Sequence, residues 1–384
     1  MVERILPSAE GRALVELVAR FAREQLAPAA SAAEAAEAFP RERLVARGEL
    51  GLFAMPYPES LGGLGQPYEV YLQALEEIAT TWVSVALAVS VHVMTCHPVV
   101  HGGSPEQQDR LLPGMLGGRQ LGAYALSEPQ AGSDVEAIRL RARREGDGYV
   151  LDGEKAWTTH GGFADYYMTF ARTNEGRDGL SCFVVDGAAD GLVPGPRERK
   201  MGMRSSPTTP VHYAGVGVPV ANRIGAEGDG QRLALSALAN GRLGVAACAT
   251  GLAQAALDAA VAYAKEREQF GRRIADFQGT RFLLAEMAAK VAAARATYLH
   301  GARKCDAGVD FVADAAIAKL VATDAAMTVT TDAVQVLGGS GYVEDFPVER
   351  YFREAKVTQI FEGTNQIQRL VIARALLRGG LGDA

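Results

Sequence analysis

The chain has 384 residues, of which 48% are hydrophobic and 22% charged, with a formal net charge of −6. That length implies two or three domains, and the composition is that of a folded globular protein rather than a disordered one. A negative balance with no run of basic residues excludes nucleic acid and anionic membranes as partners held by bulk charge.

Residues 1–120 read as a helical domain. The opening segment carries Glu3, Glu10 and Glu16 and no apolar signal core, so no export or transit sequence is expected there. Leu14, Val18, Phe21 and Leu26 recur at helix spacing. The most apolar run, Trp82 to Met94, is too short and too broken by Ser and His to span a bilayer. His97 and His101 stand four apart, a spacing that suits a metal pair on one helix face. Pro98 makes an unbroken helix through them doubtful, and no metal site is expected. In "GGSPEQQ", Ser104 is set to cap a helix beginning at Pro105, with Gln107 closing a capping box.

The texture changes near Leu121. From 121 to 228 the chain is rich in Gly, Thr, Tyr and Val, the marks of a β domain. "GYVLDGEKAW" reads as two short strands joined at Asp152-Gly153, a hairpin dipeptide, and "LSCFVVD", Leu180 to Asp186, as a further strand. From 229 to 384 long helical patterns return. Leu284, Met287, Val291, Ala294 and Tyr298 mark one apolar stripe; Ile317, Leu320, Met327, Thr331 and Val334 mark another. Long neighbouring helices rich in Ala predict a bundle with close packing. The expected fold class is therefore mainly α with an inserted β domain. Cys96, Cys182, Cys248 and Cys305 lie far apart without a CxxC, which fits a reduced, cytoplasmic setting.

Several common signatures are absent. No G-x-G-x-x-G follows a strand, no P-loop occurs, and no G-x-S-x-G elbow is present. Five other stretches stand out. In "YALSEPQAGSD", Tyr124 to Asp134, hydroxyls and backbone N–H groups converge in a turn that could hold the polar edge of a ring; it reads equally as an ordinary Pro/Gly loop. In "EKAWTTHGG", Trp157 could stack on a flat heteroaromatic while Thr158 and Thr159 bond its edge, although a core Trp is the commoner use. In "REQFGRRIADFQ", Arg267, Arg272 and Arg273 surround Phe270-Gly271, a loop suited to phosphate. "QVLGGSGY" offers three glycines after a helix, most simply a C-cap. "IFEGTNQIQRL" carries Glu362 between Phe361 and Gly363.

In this order and spacing the five stretches resemble the acyl-CoA dehydrogenase family over nearly the whole chain. The family's architecture, an N-terminal helical domain, a middle β-barrel-like domain and a C-terminal four-helix bundle, matches the segmentation above. The resemblance implies FAD bound without a Rossmann fold. It sets Tyr124, Leu126 and Ser127 along the isoalloxazine, Gly132 and Ser133 near flavin and thioester arm, and Trp157, Thr158 and Thr159 against the ring, with Thr159 near N5. Arg267, Phe270, Gln278, Gln335, Gly338 and Gly339 match positions that complete the FAD site of a neighbouring subunit, so a homotetramer, as a dimer of dimers, is implied. Thr364 and Gln366 match contacts to the phosphates and adenosine end.

Glu362 matches the catalytic base that removes an α-proton from an acyl-CoA thioester while the β-hydrogen leaves as hydride to N5, giving a trans-2-enoyl product. The resemblance also implies an electron-transferring flavoprotein as acceptor. A related subgroup carries its base just before the Arg of "ANGRLG"; here that residue is Gly241, so the role falls to Glu362. Arg242, Ser133, Met94 and Gly363 are the implied substrate contacts. Ala239 replaces the acid that often holds the pantetheine arm, which opens a carrier-protein-bound acyl group as an alternative, alongside a flavin oxidase or monooxygenase on the same scaffold. Met94, Thr95 and Cys96, with no Lys or Arg from Thr81 to His101, point to an uncharged acyl chain, short to medium.

Overall fold

The computed structural model describes residues 4–48, 51–176 and 178–378. The first layer is helical: α1 (Ala9–Phe21), continued through a π turn at Ala22–Leu26 into α2 (Ala27–Ala35), then α3 (Arg41–Gly48), α4 (Tyr68–Ala79), α5 (Val83–Gly102) and α6 (Pro105–Leu116). Ser104 caps α6 as its sequence predicts: its hydroxyl accepts from Gln107 N–H and the Gln107 side chain accepts from Ser104 N–H. The same Gln107 amide donates to the carbonyls of Ala221 and Arg223, so a helix cap also fastens the helical layer to the β layer.

α5 runs unbroken through Pro98, contrary to the expectation from sequence. Burial explains it. Nearly every residue of α5 up to Val99 is inside the protein, and the Tyr57 hydroxyl donates to the Val93 carbonyl near the position where proline disturbs the backbone ladder. The rings of His97 and His101 stack with centroids 3.9 Å apart, and His97 Nε2 meets the Ser236 hydroxyl at 3.1 Å. No cluster of three or more metal-capable side chains occurs among the described residues.

The β layer comprises β1 (Gly122–Ala125), β2 (Arg141–Glu145), β3 (Gly148–Thr159), β4 (Tyr166–Arg172), β5 (Leu180–Asp186), β6 (Leu192–Pro194), β7 (Thr208–Pro219) and β8 (Arg223–Ile224). The strand order is β6-β7-β3-β2-β4-β5-β8, with β1 parallel to β4. Alternation along the strands feeds two cores: Tyr166, Met168 and Phe170 face the helices, while Tyr167 and Ala171 face a second cluster with Tyr149, Phe183 and Tyr213. The Asp152-Gly153 hairpin does not form. β3 is one long strand, Gly153 (φ +141°) is a bulge within it, and Asp152 accepts from Gly215 N–H. The turn lies earlier, at Gly146 (φ +55°) between β2 and β3.

The last layer holds α7 (Gly230–Glu266), a short hairpin of β9 (Glu268–Gln269) and β10 (Arg272–Arg273), α8 (Gln278–Asp306), α9 (Val312–Leu337), α10 (Val348–Thr358) and α11 (Asn365–Arg378). On α8 the expected stripe is inside: Met287, Val291, Ala294 and Tyr298 are buried, with Leu284 half-buried. On α9 the expected stripe is displaced. Ile317, Leu320, Met327 and Val334 are only half-buried and Thr331 is exposed; the buried face is Ala315, Ala318, Ala322, Ala326, Val329, Thr330 and Ala333, together with Lys319. Small residues let α9 approach α7 closely and leave the larger ones at the flanks. α5 and α7 are long and apolar enough to cross a bilayer by length and composition, and both are mostly buried inside the protein.

Candidate active site

Two of the singled-out stretches are joined by a buried ion pair that spacing alone does not reveal. Lys155 Nζ donates to Glu128 at 2.8 Å and to the Leu126 carbonyl at 2.9 Å, and both residues are buried. Glu128 also accepts from the N–H groups of Arg139 and Leu140, and Ala156 N–H donates to the Ser127 carbonyl. Burial pulls the Lys155 ammonium down to about 8 against the opposing pull of Glu128. The pair locks the Tyr124–Asp134 turn beside the end of β3.

There β3 bulges between Lys155 and Thr158. Trp157 takes φ +57°, unusual for a bulky residue, and its side chain is 63% exposed. A strained backbone that holds an indole out of the core is a platform for something outside the chain. Thr159 lies half-buried next to it. Thr158 turns inward instead: it is buried and its hydroxyl has no hydrogen-bond partner, so of the two hydroxyls read beside the indole only that of Thr159 stays near the surface. Tyr124 donates to the Ala234 carbonyl at 3.2 Å, Leu126 is buried, Ser127 is half-buried, and Gly132 and Ser133 are exposed. A Cβ at Gly132 would meet nothing within 4 Å, so nothing inside the chain requires glycine there.

Glu362 sits in the turn between α10 and α11. Glu362 (φ +51°) and Gly363 (φ +89°) are both left-handed, and Thr364 starts α11 by accepting from Ile367 N–H. Gly363 favours glycine because its φ of +89° is one that other residues rarely adopt. The turn is fixed by α9: Lys319 Nζ donates to the Gly363 carbonyl and to Asn365 Oδ1, each at 2.9 Å, and Asn365 bonds Thr323 and Asp324. Gln366 is exposed.

The turn aims the carboxylate at α7. A Cβ built at Gly241 would fall 2.3 Å from Glu362 Oε2 and 2.8 Å from Met94 Sδ. Oε2 is buried without a hydrogen-bond partner, and the Glu362 N–H makes no hydrogen bond within the described chain. Of Met94, Thr95 and Cys96, only Met94 faces this site; Thr95 bonds Tyr166 and Cys96 lies in the same buried seam. Arg242 is buried beside Glu362 and its Nε is unpartnered. Burial pushes the Glu362 carboxyl up to about 7, while the positive charges of Lys319 and Arg242 pull the other way. A carboxylate in that state is a competent base near neutral pH.

The remaining sequence candidates gather elsewhere. Arg267, Gly338 and Gly339 line an open cleft of about 300 Å³ with Tyr263, Gln269 and Ser340. Gln278 and Gln335 are exposed on α8 and α9. Phe270 and Gly271, φ +53° and +75°, make the two-residue turn of the β9-β10 hairpin, where Asn-Gly is usual, and Phe270 is 94% exposed. From Gly241 to Arg267, α7 advances roughly 39 Å at 1.5 Å per residue.

The N-terminal, middle and C-terminal domain signatures of acyl-CoA dehydrogenase match residues 8–119, 123–216 and 228–377. An acyl-CoA dehydrogenase of Bacillus subtilis (strain 168) is 44% identical over 95% of this chain and 97% of its own. The solved butyryl-CoA dehydrogenase from Megasphaera elsdenii superimposes with TM-score 0.95 at 38% identity, covering 98% of this chain and 100% of its own. A chain solved in work on the electron transferring flavoprotein of Acidaminococcus fermentans gives TM-score 0.95 at 40% identity, again over 98% and 100%. Fold and site together define a flavin-dependent oxidoreductase. The chain belongs to the acyl-CoA dehydrogenase family, and its cofactor is FAD. The residues present fit that group: an exposed indole on a bulge and open space before Gly132, Gly338 and Gly339, where an added Cβ would meet nothing within 4 Å.

The buried cation Lys319 and the Glu128–Lys155 ion pair are what sequence reasoning missed. Lys319 had a faint signal, a single charge inside the Ala-rich run "AAIAKLVAT"; Glu128 and Lys155, 27 residues apart, had none.

Proposed function

We propose that the protein dehydrogenates an acyl-CoA thioester between its α and β carbons, with Glu362 as the base. The observation that carries this is the buried, unpartnered Oε2 held against Gly241, with the N–H of the same residue left free. In this reading the thioester carbonyl accepts from the Glu362 N–H, which lowers the acidity barrier at the α-carbon as an oxyanion hole does. Glu362 takes the α-proton. Arg242 and Lys319 keep the emptied site from carrying an unbalanced negative charge. Phe361, packed half-buried at the turn, helps exclude water. Bound FAD supplies the two-electron acceptor. Trp157 and Thr159 would hold its ring, with Tyr124, Ser127 and Ser133 around it, and Thr364 and Gln366 its phosphate and adenosine end.

A short acyl tail fits best. A Cβ at Gly244 would lie 2.2 Å from the Ser90 hydroxyl, so α5 and α7 touch about 4.5 Å, three residues, below Gly241. The butyryl-CoA specificity named for a structural relative agrees with such a floor. The cleft at Arg267, Gly338 and Gly339 is too far along α7 to serve the dinucleotide bound beside Glu362. We assign it, with Phe270, Gln278 and Gln335, to the FAD of a second copy, as part of a homotetramer. Electrons would pass on to an electron-transferring flavoprotein, and the setting would be cytoplasmic. Ala239 is buried and offers no carboxylate to a pantetheine arm, which keeps a carrier-protein thioester as a second reading.

The test is anaerobic mixing of the FAD-loaded protein with thioesters of graded chain length, on CoA and on carrier protein. Short acyl-CoA should bleach the flavin. Glu362→Gln should retain FAD and lose bleaching by on the order of 10⁴-fold. Full bleaching in that variant would remove Glu362 from the role.

A further inference from the structure

Lys319 is fully buried on a face of α9 otherwise made mostly of Ala and Thr, with Val329 and Leu337, where a lysine is expensive to desolvate. No carboxylate among the described residues lies within 4 Å of its ammonium; it spends its hydrogen bonds on the Gly363 carbonyl and on Asn365 Oδ1, both at 2.9 Å. A packing role would be met by a hydrocarbon. Two features say what the charge is for. The carbonyl it grips belongs to the residue after Glu362, in a turn where Glu362 and Gly363 are both left-handed. And Glu362 lies close enough for the two charges to act on one another.

We propose that Lys319 is a positioning residue for the reaction: through the Gly363 carbonyl it holds the left-handed turn that aims Glu362 at Gly241, and its charge favours the ionised, proton-accepting form of that carboxylate. This rests on Glu362 being the base. The groups around the pair are Arg242 and Cys248 from α7, Asp324 from α9, Tyr68 from α4 and Tyr124 from β1. The Tyr68 and Tyr124 hydroxyls and the Cys248 thiol are all pushed well above neutrality by burial, so they carry no charge in the working range. Asp324 is occupied by Asn365, Gln359 and Arg369. Without Lys319, Arg242 is the one cation left acting on Glu362 among the described residues.

The experiment uses FAD-loaded Lys319→Met, Lys319→Gln and Lys319→Arg proteins, with flavin reduction by a short acyl-CoA followed against pH. In the parent protein the rate should rise with pH through a midpoint near 7. In Lys319→Met the midpoint should move up by about one pH unit and the plateau fall about tenfold. Lys319→Gln keeps a donor for the Gly363 carbonyl without the charge, so it should recover most of the plateau and keep the shifted midpoint. Lys319→Arg should return the midpoint toward the parent's. The carboxyl infrared band of Glu362, assigned by its loss in Glu362→Gln, should titrate with the same shifts in the absence of substrate. If Lys319→Met does not fold, Lys319→Gln with the infrared titration decides. A folded, flavin-loaded variant with an unmoved midpoint and band overturns the proposal. That outcome differs from failure of the underlying reading, in which Glu362→Gln itself would still reduce flavin.

Discussion

The two ends of α7 handle the same kind of problem in opposite ways. Near Gly241 the chain closes on itself: Glu362, Arg242 and Lys319 are brought into a small buried space, and three ionisable groups share it with few direct bonds between them. Near Arg267 the chain stays open, with a cleft before bare glycines and a phenylalanine held out by a strained turn. The first end raises the pKa of a carboxylate by burial, which in the proposed function makes it a base. The second, in the proposed function, is finished by another molecule, which requires leaving surface uncovered. Strain appears at both, in Glu362 and in Phe270, because in each case a side chain is held where local preference would not put it.

The sharpest way to break this comparison is to divide the two ends between chains. Arg267→Glu and Glu362→Gln proteins should each be inactive alone. Co-expressed, they should recover about a quarter of parent activity, because an Arg267→Glu chain keeps its own Glu362 and borrows an intact Arg267. No recovery would mean each end serves its own chain. Gly241→Ala probes the closed end: the new methyl collides with Oε2, and flavin reduction should fall about a hundredfold with FAD retained.

A smaller effect concerns stability. The folded-state pKa of Glu362, about 7, lies above its unfolded value near 4.5, so the folded chain holds a proton that the unfolded chain releases between these values. The stability this contributes is present below pH 4.5 and lost as pH rises through 7. Glu362→Gln should therefore be more stable than the parent at pH 8, by on the order of 2 kcal/mol in denaturant titrations, and nearly equal to it at pH 4.5. Smallest is Trp157→Ala. The indole contributes little to the core, so apo-protein stability should change by less than about 0.5 kcal/mol while FAD dissociation rises about tenfold, read by fluorescence.

How much of this was legible in the sequence depends on the range of the interaction. Ser104, Pro105 and Gln107 announce a helix start because capping is settled within four residues. Leu180 to Asp186 announces a strand for the same local reason. Asp152-Gly153 misled because the dipeptide favours a turn, yet pairing of β3 with β7 on both sides of it pulled the segment straight and turned the glycine into a bulge. Pro98 misled because a helix buried on nearly all sides tolerates one lost backbone bond. The α9 stripe misled because the larger apolar residues were taken as the buried ones, whereas alanines set the closest helix contact. Glu362 is singled out by its motif, but the two cations around it come from α7 and α9, 120 and 43 residues away, and only folding assembles them.

The close contact between Gly241 and the Glu362 carboxylate has a consequence for how such an enzyme can change over evolutionary time. A glutamate at 241 and a glutamate at 362 would compete for one volume. A lineage moving its acid from this turn to α7 therefore cannot accumulate the two residues independently. Each single exchange yields a chain with two acids crowded together or with none, and both intermediates are handicapped. On the role proposed for Glu362, the bare glycine at 241 thus acts as a historical lock: any side chain there meets the carboxylate it would have to replace.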